Sequence, residues 1–173
     1  MSNAHAVTIR RAVPDDAEAL AHLHVLVWEE AYTSLMPASV FEARRATLTD
    51  RIERWRHNLT GSPARTIVAV DPSGLVGFAS SGPARSDDVE VDDELWALYV
   101  RASRWGTGVG HALLTDSLGD RPACLWVLRG NDRAITFYGR HGFVADGTVR
   151  SDEFGTELRM VRTTPDLGSS RTP

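Results

Sequence analysis

The sequence of 173 residues contains no lysine, so all 19 of its basic side chains are arginines, and it has a single cysteine. One cysteine cannot form a disulfide within the chain, and Cys124 lies in an apolar run typical of a small buried side chain. No apolar run is long enough to cross a membrane, and no signal-peptide core stands at the start. The net charge of −4 gives no dominant basic face, which disfavours nucleic acid as a partner. We therefore expect a soluble, cytoplasmic protein that binds neither membrane nor nucleic acid.

The composition is that of one globular domain. Hydrophobic residues make up 42% of the chain and charged residues 24%, and no internal repeat marks a second unit. Residues 1–6 are polar and predict a flexible N-terminus, and residues 164–173 are rich in Pro, Gly, Ser and Thr and predict a disordered tail. The domain is therefore expected over residues 7–163.

The periodicity of apolar residues predicts a mixed α/β fold. A short first strand is followed by two helices, the second over residues 39–57, and then by three strands. Helix, strand, helix and two closing strands follow, with a hairpin about residues 151–155. The acidic loop over residues 82–93 is interpreted as a solvated loop, or else as a surface that attracts a cationic amine.

The stretch from Glu94 to Leu118 is the most informative part of the chain. It is predicted to form a strand, then a turn with glycines at 106, 108 and 110, then a helix. A helix start leaves its first amides unpaired and carries partial positive charge, and glycines let a ligand approach the backbone closely. The pattern indicates a phosphate-binding turn, although a purely structural turn would show the same glycines.

Two common phosphate-binding motifs do not fit this turn. A Walker A loop needs a lysine after its last glycine, and the dinucleotide fingerprint needs Gly or Ala where this chain has His111 or Leu113. The run RWGTGVGH followed by Ala-Leu-Leu instead resembles the acetyl-CoA pyrophosphate loop of the GNAT acetyltransferase superfamily. The family's core pattern is Gln or Arg, two residues of any type, Gly, one residue of any type, and then Gly or Ala. Gly108 and Gly110 match the two glycine positions of this pattern. Trp105 stands at the Gln or Arg position, and Arg104 lies one place before it.

A second block supports the resemblance. Residues 131–143, NDRAITFYGRHGF, are similar to the family's later block, in which an Asn precedes a short helix containing Phe-Tyr and ended by Gly-Phe. Asn131 or Asp132 is a suitable N-cap, and Gly142 a suitable C-terminal glycine. The resemblance covers roughly residues 8–162. It implies a single-domain GNAT-like α/β fold with a mixed, mostly antiparallel sheet of six to seven strands flanked by about four helices, in which the fourth and fifth strands splay apart.

The resemblance also implies where acetyl-CoA, the expected cosubstrate, would bind. The backbone of the central strand would pair with the pantetheine arm, the turn would bind the pyrophosphate, and Asn131 would contact the cofactor or a water molecule. The residues concerned are Leu98, Tyr99, Val100, Arg104, Gly106, Thr107, Gly108, Val109, Gly110, His111 and Asn131. No metal ion is expected at the site.

Two residues are candidates for proton transfer. Tyr138 matches the family's proton donor to the departing thiolate, although a tyrosine on an apolar helix face is also an ordinary core residue. Glu94 begins the central strand, where some family members carry a glutamate base; other members use the following strand, where this chain has Trp126. A carboxylate beside an apolar pocket suits a base, and the alternative is a solvated Glu94 with proton transfer through water.

The expected activity is transfer of an acetyl group from acetyl-CoA to a primary amine, by direct attack in a ternary complex. The acceptor is a small molecule or a protein N-terminus, and its site would include Trp28, Tyr32 and Phe154, each of which also suits the core. A non-catalytic acyl-CoA-binding sensor is the alternative. The sequence leaves the acceptor and the oligomeric state open, a homodimer included.

Overall fold

The structure, a computed structural model, describes residues 6–163. The predicted flexible N-terminus, apart from Ala6, and the predicted tail over residues 164–173 lie outside this range. The described chain forms seven strands and five α-helices: β1 (Thr8–Arg11), α1 (Ala17–Tyr32), α2 (Ala38–Ala46), α3 (Leu48–Gly61), β2 (Arg65–Asp71), β3 (Gly74–Pro83), β4 (Asp93–Val100), α4 (Val109–Leu118), β5 (Ala123–Leu128), α5 (Asp132–Arg140), β6 (Val144–Asp152) and β7 (Gly155–Arg162). One-turn 3₁₀ helices precede α1 and α4.

All seven strands belong to one sheet, in the order β1-β2-β3-β4-β5-β7-β6. Neighbouring strands are antiparallel except β4 and β5, which are parallel. A parallel pair needs a crossover connection, and the segment that contains α4 supplies it. The predicted mixed and mostly antiparallel α/β sheet is confirmed.

Helices cover both faces of this sheet because the side chains of a strand alternate between its faces. On one face, Val68 and Phe78 pack with Leu20 of α1 and Trp55 of α3. Ile67 and Ala69, which flank Val68, and Ala79, which follows Phe78, point to the other face. There they pack with Leu113 and Leu114 of α4. Strands β2, β3 and β5 are therefore mostly buried, whereas β4 is only half-buried beyond Leu95 and lies between the α1–α3 layer and α4.

The structure corrects the prediction of one long helix over residues 39–57. Two helices occupy this segment, and they meet at Thr47, whose φ of −100° and ψ of 23° leave the helical range. The Thr47 hydroxyl donates to the carbonyl oxygens of Ala43 and Arg44, both at 3.2 Å. Such side-chain bonds compete with the helical pattern at a helix end. The sheet is therefore flanked by five α-helices rather than about four.

No helix within residues 6–163 combines the length and the apolar composition needed to span a membrane.

Candidate active site

The splay between β4 and β5 creates the main cavity of the described structure. The two strands pair only where Asp93–Leu95 meet Ala123–Leu125, and they separate beyond this point. The register of β3 against β4 jumps so that Trp96 becomes an extra residue, and such a bulge bends a strand. The cavity between the separated strands has a volume of about 720 Å³. The splay that the resemblance implied is present.

The glycine turn lies at the mouth of this cavity. Gly106 and Gly108 have φ of 73° and 88°, a conformation that other residues adopt only with strain, and Gly108 is the N-cap of α4. In the described structure the amides of residues 108–111 donate to no backbone acceptor. A Cβ at Gly106 or Gly108 would meet no protein atom within 4 Å, and one at Gly110 would lie 3.4 Å from the Phe137 ring. Unpaired amides, open space and a helix N-terminus together suit an anion.

The side chains of this turn are directed elsewhere. Arg104 lies on the cavity wall, but its guanidinium forms an ion pair with the buried Asp71. The Thr107 hydroxyl donates to the carbonyl oxygen of Arg104 at 2.7 Å, and Val109 is a core residue. His111 lines the cavity, and its Nδ1 lies 2.9 Å from Nε2 of His141 on the end of α5. The turn therefore presents mainly its backbone to a ligand.

Trp105, at the position where the family pattern has Gln or Arg, connects two parts of the cavity wall. Its indole N–H donates to the carbonyl oxygen of Val100 at 2.8 Å. The guanidinium of Arg133 on α5 lies 3.5 Å from the centre of its ring, a cation–π contact. Arg133 was not predicted as a site residue, because its only signal in the sequence is its place directly after Asp132 at the start of the second block.

Leu98, Tyr99 and Val100 on β4 all line the cavity, as the resemblance implied. The Tyr99 hydroxyl accepts a hydrogen bond from the Trp28 indole at 3.0 Å and lies 3.2 Å from the Tyr32 hydroxyl. The ring of Trp28 also packs edge-on against Phe154, with 5.4 Å between ring centres. The three predicted acceptor residues, Trp28, Tyr32 and Phe154, thus come together, although only Tyr32 lines the cavity itself.

Tyr138 and Asn131 lie on the cavity wall at α5. Asn131 caps the helix by accepting a hydrogen bond from the Ala134 amide at 3.3 Å, so its oxygen is partly engaged. Tyr138 is 7% exposed, and its ring packs against those of Phe137 and Phe143. Burial, followed by the neighbouring Tyr32 hydroxyl, raises the pKa of Tyr138. The phenol therefore keeps its proton near neutral pH, as a proton donor must.

Glu94 lies in an environment that differs from the expected apolar pocket. Its side chain lines the cavity and is 1% exposed, but it is ion-paired with Arg85 from the β3–β4 loop. The Arg85 guanidinium donates to Oε1 at 2.5 Å and 3.1 Å, and the Arg85 backbone N–H donates to Oε2 at 2.9 Å. Oε1 accepts two hydrogen bonds and Oε2 accepts one, so while Arg85 stays in place the free lone pair of Oε2 is the site left to take a proton. Because Arg85 lies in a polar loop, sequence spacing gave no signal for this pair.

The part of the cavity beyond Glu94 is lined by tryptophan and arginine. Arg85 lies over the Trp96 ring at 4.8 Å and Arg150 over the Trp126 ring at 4.2 Å. Trp126 occupies the place where some relatives carry their glutamate, and its indole N–H is buried without a hydrogen-bond partner in the described chain. This wall was not predicted from sequence, because it is formed by residues on three separated strands and a loop.

The described residues provide no group of three or more His, Cys, Asp or Glu side chains placed to hold a metal ion.

A mixed sheet with splayed central strands, a glycine turn at a helix start and a buried tyrosine in the same cavity wall defines the class of GNAT-fold N-acetyltransferases. A sequence profile described as "Acetyltransferase (GNAT) domain" matches residues 62–145. The chain is 31% identical over 178 residues to the uncharacterized N-acetyltransferase YuaI of Bacillus subtilis, covering 96% of this chain and 97% of that protein. The chain belongs to the GNAT acetyltransferase family and is an acetyltransferase.

Other proteins are similar over most of the chain. The probable N-acetyltransferase Rv2775 of Mycobacterium tuberculosis is 26% identical over 146 residues, which is 82% of each protein. PaiA N-acetyltransferase from Thermoplasma acidophilum, solved in complex with coenzyme A, has a TM-score of 0.71 at 19% identity and covers 92% of this chain and 99% of its own. PH1933 from Pyrococcus horikoshii has a TM-score of 0.70 at 22% identity, with the same coverage. These structures support the fold.

Proposed function

We propose that the protein transfers the acetyl group of acetyl-CoA to a primary amine of a small molecule or a protein N-terminus, within a ternary complex. The observation that carries this proposal is that the glycine turn, the free edge of β4 and Tyr138 all line one cavity. The coenzyme A complex of the PaiA structure, which shares the fold, supports the choice of cosubstrate.

The residues present fit acetyl-CoA. The amides of residues 108–111 would hold the pyrophosphate, because they are unpaired in the described chain and stand at the positive end of α4. The backbone of Leu98 to Val100 would pair with the pantetheine arm, as a peptide adds to a sheet edge. When bound, acetyl-CoA supplies an activated thioester. A backbone amide of β4 would polarise its carbonyl group.

The reaction forms a C–N bond and breaks the C–S bond of the thioester. The acceptor ammonium must first lose a proton, and Glu94 is the proposed base, directly or through water, by way of the lone pair of Oε2 that the Arg85 backbone N–H leaves free. The departing thiolate takes the proton of the Tyr138 hydroxyl, which burial keeps protonated. The nitrogen of the new amide gives up its second proton, which restores the Tyr138 phenol. The acceptor would lie beside Tyr99, next to the side chains of Trp28, Tyr32 and Phe154.

A calorimetric titration with acetyl-CoA, beside desulfo-CoA, ATP and NAD, tests cofactor choice. We expect binding of the two CoA compounds alone, and binding of ATP or NAD without CoA would contradict the proposal. Release of free thiol across a panel of amines then tests catalysis.

The alternative function is a non-catalytic acyl-CoA-binding sensor. The observation in its favour is that Arg85 covers the candidate base. A sensor would bind acetyl-CoA and release no thiol with any amine, whereas the proposed enzyme releases thiol in step with acetylated amine.

A further inference from the structure

Three arginines near the junction of α2 and α3 form a basic cluster without acidic partners. Arg44 lies in the last turn of α2, and Arg51 and Arg54 lie three residues apart on α3. Within residues 6–163, none of the three forms an ion pair with a carboxylate. The adjacent Arg45, by contrast, pairs with Glu29 at 2.6 Å. Within the described chain, no carboxylate therefore neutralises the basic cluster by direct contact.

Arg44 is the most confined member of the basic cluster. Its guanidinium lies 3.7 Å from the centre of the Trp28 ring, and its Nε is buried without a hydrogen-bond partner in the described chain. A buried donor of a charged group that stays unpaired is costly, and such a group normally has an ion or water as its partner. Arg51 donates its Nε–H to the carbonyl oxygen of Arg44 at 3.2 Å, which holds the two cations close together.

His24 on α1 lies close enough to the same three arginines to be affected by their charge. Its ring packs against those of Trp55, Phe78 and Tyr99 at 5.2 to 5.9 Å between centres. Burial, followed by the charges of Arg44, Arg51 and Arg54, lowers the pKa of His24 to about 3. The imidazole is therefore neutral and adds no further positive charge to the cluster.

The side chain of Trp28 lies between the basic cluster and the residues that line the reaction cavity. Trp28, which carries Arg44 on its face, donates its indole N–H to the Tyr99 hydroxyl, and both Tyr99 and Tyr32 line the cavity. The α1 and α3 layer covers the sheet face opposite to α4, whose N-terminus is the proposed pyrophosphate site. A ligand at the cluster is thus placed on the acceptor side rather than beside the cofactor phosphates.

We propose that Arg44 and Arg51, with Arg54 at the rim, bind an anionic group of the acceptor, so that the substrate is a small amine bearing a carboxylate or a phosphate. A guanidinium offers a planar set of donors that matches both groups. The anion would supply the missing partner of Arg44 and offset the charge of Arg51. This inference rests on the proposed acetyl transfer and adds the chemical class of its acceptor.

The first test measures anion binding without turnover. Thermal unfolding is followed in the wild type, Arg44→Met and Arg45→Met, with increasing inorganic phosphate at constant ionic strength and with CoA present to fill the glycine turn. We expect phosphate to raise Tm in the wild type and Arg45→Met, and to have less than half of this effect in Arg44→Met. Equal shifts in all three proteins, or no shift in the wild type, would overturn the inference.

The second test measures substrate choice with matched acceptors. β-Alanine is compared with β-alaninamide and O-phosphoethanolamine with ethanolamine, each rate being expressed per concentration of free amine. We expect at least a tenfold higher kcat/KM for one anionic member over its neutral partner, lost in Arg44→Met and kept in Arg45→Met. Which pair shows the preference distinguishes carboxylate from phosphate, and equal use within both pairs refutes an anionic acceptor.

Different results would refute the proposed acetyl transfer and the proposed anionic acceptor. If acetyl-CoA does not bind to the wild type in calorimetry, the proposed acetyl transfer is wrong, whereas the phosphate effect at Arg44 still decides whether the basic cluster binds anions. If acetyl-CoA binds and thiol is released equally with neutral and anionic amines, the transfer stands and the acceptor class is wrong.

Discussion

The indole N–H of Trp105 donates to the carbonyl oxygen of Val100 at 2.8 Å, which ties the glycine turn to the end of β4. Because Val100 lies on the edge proposed to pair with pantetheine, this bond connects the two halves of the proposed cofactor site. Trp105 also carries the Arg133 guanidinium on its face. The tryptophan therefore fixes the position of the turn, whichever residue other family members have at this place.

Two substitutions of Trp105 should show how much the hydrogen bond to Val100 and the contact with Arg133 each contribute to acetyl-CoA binding. Trp105→Phe keeps a ring for Arg133 and removes the hydrogen bond, which contributes about 1 kcal/mol, so we expect acetyl-CoA to bind about fivefold more weakly. Trp105→Ala also removes the cation–π contact, worth about 0.5–1 kcal/mol, and should bind more weakly still. Calorimetric Kd values for the three proteins test this order, and identical values would show that the bond to Val100 does not organise the site.

Gly108 should matter to the cofactor beyond its backbone conformation. In Gly108→Ala the added Cβ points into open space on the cavity wall, where it would crowd a phosphate held by the amides of α4. We expect at least a tenfold loss of acetyl-CoA affinity. Gly147→Ala is the matched control, because Gly147 has a φ of 91°, similar to the 88° of Gly108, and its Cβ would also meet open space.

Both glycine variants should lose stability by a similar amount, roughly 1–2 kcal/mol, because both force alanine into the left-handed region. Urea denaturation measures this loss and titration measures the affinity. If Gly147→Ala also weakened acetyl-CoA binding tenfold, or if Gly108→Ala kept full affinity, the phosphate site would not be at the start of α4.

Tyr138→Phe should lower the rate of the chemical step and leave cofactor binding nearly intact. The substitution removes one hydroxyl and keeps the ring that packs against Phe137 and Phe143, so the fold loses little. General acid catalysis contributes typically about 10²–10⁴-fold, and we expect a fall in kcat of at least tenfold with Kd for acetyl-CoA within twofold. Single-turnover kinetics should be used, because unchanged chemistry in such an experiment would remove Tyr138 from the proton-donor role.

The ion pair of Glu94 and Arg85 should respond asymmetrically to mutation. Glu94 is 1% exposed whereas the Arg85 side chain is 54% exposed. Arg85→Gln leaves a buried carboxylate without its guanidinium and should cost more stability than Glu94→Gln, which leaves a cation that water can solvate. Urea denaturation of both variants checks the order. Glu94→Gln alone should also lower kcat at least tenfold, and a full rate in that variant would assign the deprotonation to water.

His24 should make the free energy of unfolding depend on pH. The unfolded chain binds a proton at this residue below about pH 6.5, whereas in the folded protein burial and the nearby arginines lower the pKa of His24 to about 3. The contribution of His24 to the free energy of unfolding is therefore complete above about pH 6.5. It is lost as the pH falls from about 6.5 towards the folded pKa of about 3, by at most about 1.4 kcal/mol per pH unit.

Denaturation midpoints between pH 7 and 5 test the His24 prediction. His24→Phe should flatten the dependence, because phenylalanine fits the aromatic cluster and does not titrate. His22→Gln is the control, since His22 lies exposed on the same helix, and it should leave the slope unchanged. An unchanged slope in His24→Phe would show that the buried imidazole is not the source of the effect.

Much of the fold could be predicted from sequence, because strand and helix periods, caps and turns are local properties. Asn131 does cap α5, and Gly142 does adopt a positive φ of 84° after that helix. The division between α2 and α3 was missed, because the apolar pattern continues through the segment and the break depends on the hydrogen bonds of one threonine.

The amino-acid sequence by itself determined the glycine turn at the start of α4 and the order of the elements around it, since both depend on backbone conformations that a few residue types allow. Tertiary structure alone decided which side chains meet. Arg85 covers Glu94, Arg133 reaches Trp105, and Arg44 remains without an acidic partner in the described chain. The charge environment of each group depends on neighbours far away in the sequence, and only the folded sheet and its helices bring them into contact.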